Sequence, residues 1–211
     1  TGMLSMIKED YGDTLAPGLK EALDHISAAS KRLESLIAGV LEYSRISSQV
    51  NQEEPVLLSA VLEELKREMQ PQLQSAQASL QIHGELPIVL GDRLKIYQIF
   101  SNLIGNAVKY RSAERALSIQ ISPLPSRTDR FTRISVADNG IGIPADKLEL
   151  IFRPFQRAHT KGIEGSGIGL ACVKKLLEKL GGEIEVKSRE GEGSEFIVTL
   201  RSGWKYSTRK A

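Results

Sequence analysis

The sequence is poor in cysteine, in long apolar runs and in net charge of either sign. Its single cysteine, Cys172, excludes an internal disulfide framework and any multi-cysteine metal site. It falls in an apolar helical stretch, so a buried structural thiol is expected rather than a reactive one. No apolar run approaches the roughly 18 residues of a membrane-spanning helix, and no signal peptide opens the chain. The expectation is therefore a cytoplasmic segment making no membrane contact of its own, even if a longer parent is anchored. Lysine and arginine number 28 against 26 aspartates and glutamates, for a net charge of +2. That balance argues neither for nor against a polyanion, and no nucleic-acid partner is expected. With 41% hydrophobic and 26% charged residues in 211, the chain suits one or two globular domains with a packed core.

What is present divides in two. Leu19, Ala22, Ile26, Ala29, Leu33, Leu36, Val40 and Tyr43 recur at intervals of three and four, a heptad seam along one helix. Thr14 suits its N-cap and Pro17 its first turn. A shorter apolar pattern in Met3, Leu4, Met6 and Ile7 predicts a preceding helix, joined around Tyr11-Gly12-Asp13 as an antiparallel hairpin. A hairpin cannot bury both flanks alone. A dimeric four-helix bundle would bury them, and packing against the rest of the same chain is the alternative. The polar stretch Ser47 to Pro55 reads as a linker, giving domains at 1–50 and 53–205.

Beyond the linker the elements alternate. The pattern predicts a strand near Val56-Leu57-Leu58, a helix from Ser59 to Ala76, a strand at Ser79 to Ile82 and a helix from Asp92 to Lys109. Strands near Leu117–Ile121 and Thr132–Ala137 follow, then an irregular segment from Pro144 to Gly165 and a helix from Gly167 to Leu180. Two final strands, Glu183–Lys187 and Glu195–Leu200, flank a glycine turn. This is an α+β arrangement, a two-layer sandwich whose mixed, mostly antiparallel sheet carries helices on one face.

Four features carry chemistry. In the helix Asp92–Lys109 the asparagines Asn102 and Asn106 lie four apart and Lys109 three further, all on one side. Asparagine is a mediocre helix former. An amide oxygen suits Mg²⁺ and a lysine suits phosphate, although solvated asparagines on an exposed face are also common. Strand Ile134–Ala137 runs into Asp138-Asn139-Gly140-Ile141-Gly142-Ile143-Pro144. A carboxylate at a strand end can accept from an exocyclic amine such as adenine's, and the glycines let backbone approach a flat ring. Gly165-Ser166-Gly167-Ile168-Gly169-Leu170 opens the last helix with successive amides, a ready anion site. It fits neither the P-loop nor the dinucleotide fingerprint. Between these lies Ile151-Phe152-Arg153-Pro154-Phe155-Gln156-Arg157, a lid-like segment from which Arg157 can reach phosphate, or else a surface loop.

The order and spacing of these four features resemble the catalytic and ATP-binding domain of sensor histidine kinases, within the gyrase, Hsp90, kinase and MutL (GHKL) ATPase superfamily. The resemblance covers essentially the whole chain. The first fifty residues look like the later part of the dimerisation and histidine-phosphotransfer hairpin, ending in Leu41-Glu42-Tyr43-Ser44-Arg45. The lid wording Pro154-Phe155-Gln156-Arg157-Ala158-His159-Thr160 is closest to phytochrome-type kinases, as is Met3-Leu4 leading through Tyr11-Gly12-Asp13.

The resemblance implies ATP and Mg²⁺ as cofactors. It implies Asn106 as the metal ligand supported by Asn102, Lys109 on phosphate, Tyr110 beside the nucleotide and Asp138 on the adenine amine. Gly140 and Gly142 would shape the pocket floor, Arg157 would reach the terminal phosphates, and Gly165 to Leu170 would meet the triphosphate. It implies a homodimer through the hairpin and a response-regulator receiver domain as partner. The superfamily's hydrolases carry a glutamate one turn before the metal asparagine. Here that residue is Asn102, so transfer rather than hydrolysis is expected. The acceptor histidine of the family is followed by an acidic residue; His25, His83 and His159 are not. The acceptor is therefore expected upstream of Thr1. The alternatives are a catalytically degenerate nucleotide-binding dimerisation module and a serine kinase of the anti-sigma-factor type.

Overall fold

The computed structural model describes residues 16–48, 52–126, 128–159 and 165–203, together with Met6. The first helix of the predicted hairpin, with Met3, Leu4, Ile7 and Tyr11-Gly12-Asp13, lies outside the described residues, as do Thr14, residues 49–51 and Thr160.

Helix α1, Pro17–Ser48, begins on proline, where the missing N–H costs nothing. It is followed by β1 (Glu54–Leu57), α2 (Leu58–Glu68), α3 (Gln70–Ser75), β2 (Ser79–Ile82), β3 (Ile88–Gly91) and α4 (Arg93–Lys109). Then come β4 (Ser118–Leu124), β5 (Phe131–Asp138), two short 3-10 turns at Ala145–Lys147 and Leu150–Phe152, α5 (Gly169–Lys179), β6 (Glu183–Arg189) and β7 (Gly193–Arg201). The main sheet has the order β2-β4-β5-β7-β6. Its β2–β4 pair is parallel and the rest antiparallel, as the mixed sheet expected from sequence requires.

Three expectations need correction. The helix predicted from Ser59 to Ala76 is two helices, α2 and α3, broken at Met69. Pro71, near the start of α3, has no N–H to donate and its ring blocks the carbonyl four residues back. The strand β3 is absent from the prediction. It is a four-residue apolar run with no alternation, made a strand by its distant antiparallel partner β1 and by the bridge of Val89 to Ser202 on its other side. The strand predicted to end at Ile121 continues through Pro123 to Leu124. Because β2 stops at Ile82, opposite Ile121, β4 is an edge beyond that point and tolerates a proline.

One face of the sheet is apolar and covered. Ile119, Ile121, Ile134, Val136, Phe196, Val198 and Leu200 pack with Leu62 and Leu65 of α2, Ile99, Phe100 and Leu103 of α4, and Val173, Leu176 and Leu177 of α5. The other face is a polar ladder. Arg133 pairs with Glu185 at 3.1 Å, Ser135 donates to Glu195 at 2.7 Å, and Lys187 lies 3.6 Å from Glu195. Ile197, in register between Ser135 and Glu185, is closed off from solvent within that ladder. Cys172 is buried on α5, and burial followed by the Glu42 charge pushes its thiol up to about 12, so it stays protonated.

Helix α1 meets this body along one flank. Lys175 of α5 donates to the Tyr43 carbonyl at 2.9 Å and lies 3.8 Å above the Tyr43 ring, while Ile46 joins the core. Leu19, Ile26, Leu33 and Val40 of the heptad seam remain exposed.

Candidate functional site

The start of α4 is fixed by Asp92, which accepts from the Leu94 and Lys95 amides at 3.0 and 3.2 Å and from the Lys95 ammonium at 3.2 Å. Burial pushes the Asp92 carboxyl up, but those donors outweigh it and leave it below the ordinary value. From this anchor the stripe Ile96, Ile99, Phe100, Leu103 and Ala107 goes into the core, which turns Asn102, Asn106 and Lys109 toward a cavity. Asn102 donates its amide to the Gln98 carbonyl at 3.0 Å. Its oxygen faces Gly169 at the start of α5, where a Cβ would come within 2.9 Å of it. Glycine lets the two helices meet here without displacing the Asn102 amide.

The loop after β5 is held from both sides. The Gly140 amide donates to Asp138 Oδ1 at 2.8 Å, and the Ile141 amide to the Tyr110 carbonyl at 2.9 Å. Burial raises the Asp138 carboxyl above its ordinary value, against the lowering pull of the Gly140 and Ser194 amides and the Arg115 charge. Asn139 accepts from the Ser118 amide at 2.8 Å and donates to the Ala116 carbonyl at 3.0 Å. Arg115 was not singled out from sequence. Its guanidinium donates to three backbone carbonyls, of Asn139 at 2.6 Å, Gly140 at 2.7 Å and Gly191 at 2.5 Å, and so ties this loop to the β6–β7 turn.

The third wall is the glycine-rich segment with the stretch before it. Phe155 donates its amide to the Gly167 carbonyl at 3.0 Å. Gly167 has φ +71°, and a Cβ there would lie 2.9 Å from the Gln156 carbonyl. The Lys109 ammonium occupies the space a Cβ at Gly165 would need, so it lies directly against that backbone. It also lies 4.9 Å from the Tyr110 ring centre. His159 Nε2 is 2.8 Å from the Gly142 carbonyl. A carbonyl only accepts, so Nε2 carries the proton and donates. The His159 ring is tilted 45° to Tyr110 with centres 6.3 Å apart.

These walls enclose a cavity of about 260 Å³, close to the roughly 300 Å³ at which small-molecule sites begin. Asn102, Asn106, Lys109, Tyr110, Asp138, Gly142, Arg157, Gly165, Ser166, Gly167, Gly169 and Leu170 all border it. Gly140 and Ile168 do not. A Cβ at Gly140 would be 2.5 Å from the Tyr110 carbonyl, so its smallness serves the loop's packing behind the cavity. Ile168 is buried away from it, beneath Gly39 of α1. Sequence reasoning missed Ser35, Ser194 and Phe196 as wall residues, and placed His159 only as a weak acceptor candidate. Ser194 follows the glycine turn directly and was findable; Ser35 on α1 carries no local signal. His25 and His83 are exposed and do not border the cavity. Among the described residues no group of three or more His, Cys, Asp or Glu could hold a metal ion.

Residues 91–203 match the family described as histidine kinase-, DNA gyrase B- and HSP90-like ATPase. The chain belongs to that family. It is 35% identical over 201 residues to cyanobacterial phytochrome B of Nostoc sp., covering 93% of this chain and 26% of that protein. It is 36% identical over 182 residues to the sensor histidine kinase AtsR of Burkholderia thailandensis, covering 82% of this chain and 30% of AtsR. The chain thus spans under a third of the length of either relative. Among solved structures, full-length ShkA in complex with AMPPNP superposes with TM-score 0.69 at 26% identity, over 95% of this chain and 42% of ShkA. The catalytic domain of the histidine kinase ThkA gives TM-score 0.60 at 26% identity, over 73% of this chain and 99% of that domain. The histidine kinase likeness and the GHKL-type sandwich expected from the motifs both hold. Among the described residues no helix is long and apolar enough to cross a membrane.

Proposed function

We propose that this chain is the catalytic portion of a cytoplasmic sensor histidine kinase. It binds Mg-ATP in the cavity and transfers the γ-phosphoryl to a histidine on a helical hairpin, for relay to an aspartate of a response-regulator receiver domain. The observation that carries this reading is the convergence of Asp138 at one wall with Asn106, Lys109 and Arg157 at another, across glycine backbone.

Asp138 accepts from the adenine amine. Its carboxylate is already oriented by the Gly140 amide, which lowers the cost of ordering on binding. The residues fit a magnesium ion. Asn106 offers a hard, neutral amide oxygen, and among the described residues no group of three or more His, Cys, Asp or Glu could hold the ion, so phosphate oxygens and water would supply further ligands. When bound, the ion neutralises charge on the transferring phosphoryl. Lys109, held against the Gly165 backbone, and Arg157 supply the protein's positive charge there. Positioning supplies most of the remaining rate. Asn102 uses its amide on the Gln98 carbonyl and has no basicity to activate water, so ATP persists until an acceptor arrives. The exposed heptad seam of α1 is the homodimer face.

The test is phosphorylation in trans. Radiolabelled ATP and Mg²⁺ are added to this chain together with a separate hairpin polypeptide bearing a histidine followed by Asp or Glu. Acid-labile, base-stable label on the hairpin, lost in Asn106→Ala, supports the proposal. Rapid ATP hydrolysis without acceptor refutes the role given to Asn102, and tight ATP binding without transfer establishes the degenerate-module reading instead.

A further inference from the structure

His159 is assigned no part in the kinase reading, yet it is the histidine that borders the cavity. Its surroundings are specific. Nε2 donates to the Gly142 carbonyl at 2.8 Å, and the ring lies 6.3 Å from that of Tyr110 at 45°. Gly142 follows Asp138 in the same loop, and Tyr110 is fixed to that loop by the Ile141 amide at 2.9 Å. His159, Tyr110, Gly142 and Asp138 therefore belong to one end of the cavity, while Asn102 and Asn106 face it from α4.

We propose that His159 is a specificity residue for the base of the nucleotide. Its ring supplies an aromatic face beside that of Tyr110, inclined 45° to it, against which the purine packs, and its bond to the Gly142 carbonyl fixes that face in the same loop from which Asp138 meets the exocyclic amine. An imidazole meets both demands at once, because one edge donates while the face stays apolar enough to stack. Alanine meets neither, phenylalanine keeps the face alone, and glutamine keeps the donor alone. The assignment rests on the ATP reading of the cavity.

The test compares two ligands on the intact chain, ATP and inorganic tripolyphosphate, which shares the phosphates but has no base. In His159→Ala the Kd for ATP rises about tenfold or more, the scale of one base–aromatic contact, while the Kd for tripolyphosphate is unchanged. His159→Phe recovers part of the ATP affinity. An equal loss for both ligands means a merely structural role and overturns the proposal, as does unchanged ATP affinity. Should His159→Ala fail to fold, His159→Gln carries the same comparison, because it keeps the bond and loses only the stacking face. If the wild-type chain binds tripolyphosphate as tightly as ATP, the adenine site itself is wrong and the kinase reading fails with it.

Discussion

Removing the Arg115 guanidinium tests whether the loop after β5 is held by one side chain that never touches the cavity. The three carbonyls it serves belong to Asn139, Gly140 and Gly191, at 2.5 to 2.7 Å. Net hydrogen-bond contributions of ~1 kcal/mol each, somewhat more with a charged donor, would sum to ~3–4 kcal/mol. Arg115 is exposed, however, and water can replace it at the carbonyls, which reduces the expected loss to ~1–2 kcal/mol. Asn139 continues to hold the loop through Ser118 and Ala116, so the damage stays local. The loop carries Asp138 and Gly142, and loosening it must be made good on binding. Arg115→Ala therefore weakens ATP by about fivefold, for ~1 kcal/mol of that loss. Arg115→Lys does not restore affinity, because a single ammonium cannot span three carbonyls that a planar fork reaches together. The assay is ATP titration paired with urea unfolding at constant pH. Full rescue by lysine, or destabilisation with unchanged ATP affinity, would refute this account.

Three further outcomes follow from the geometry. Asp138 has its carboxyl raised by burial, so the folded chain holds that proton more tightly than the unfolded chain does. Its cost to stability is then full at neutral pH and disappears as pH falls below about 4, the unfolded value. Asp138→Asn should bind ATP at least tenfold more weakly, yet be no less stable than wild type at pH 7, with any advantage gone by pH 4; a pH series of unfolding curves checks the sign. Gly167→Ala places a Cβ 2.9 Å from the Gln156 carbonyl at φ +71°, costing ~1–2 kcal/mol of backbone strain and weakening ATP in the same titration. Lys175→Met removes both the Tyr43 carbonyl bond and the ring contact, and should speed amide exchange near Tyr43 in α1 without altering the core strands. Equal exchange would mean that clasp holds nothing.

The motifs were legible because each is local in sequence: a helix face, a strand end, a glycine run. The heptad pattern from Leu19 to Tyr43 predicted α1, and alternation predicted β5 with an error of one residue at each end. Most of what escaped was non-local. The pairing of β3 with β1 is invisible in a four-residue apolar run; the break at Met69, by contrast, was legible locally in Pro71 and was overlooked. Arg115 reads as one more surface arginine until the fold brings three carbonyls to it. Ser35 joins the cavity wall only because α1 lies across the glycine-rich segment.

That crossing gives the glycines two kinds of duty. Gly165, Gly167 and Gly169 border the cavity, whereas Ile168, between them, is turned away and packed under α1. A Cβ at Gly39 would lie 2.7 Å from Ile168 Cδ1 and 3.4 Å from Ser166 Oγ, so α1 seats closely on the side chains of this segment. One face of five residues meets the cavity and the other meets the helix that bears the exposed heptad seam. Close-packed interiors transmit displacement, and a stretch this short cannot move on one face alone. Any ligand whose affinity depends on the conformation of residues 165–169 is therefore coupled to the seating of α1, and by linkage the seating of α1 alters that affinity by the same factor. Ile168, which the family resemblance groups with the nucleotide, is in this fold packed against Gly39 of α1 instead of lining the cavity.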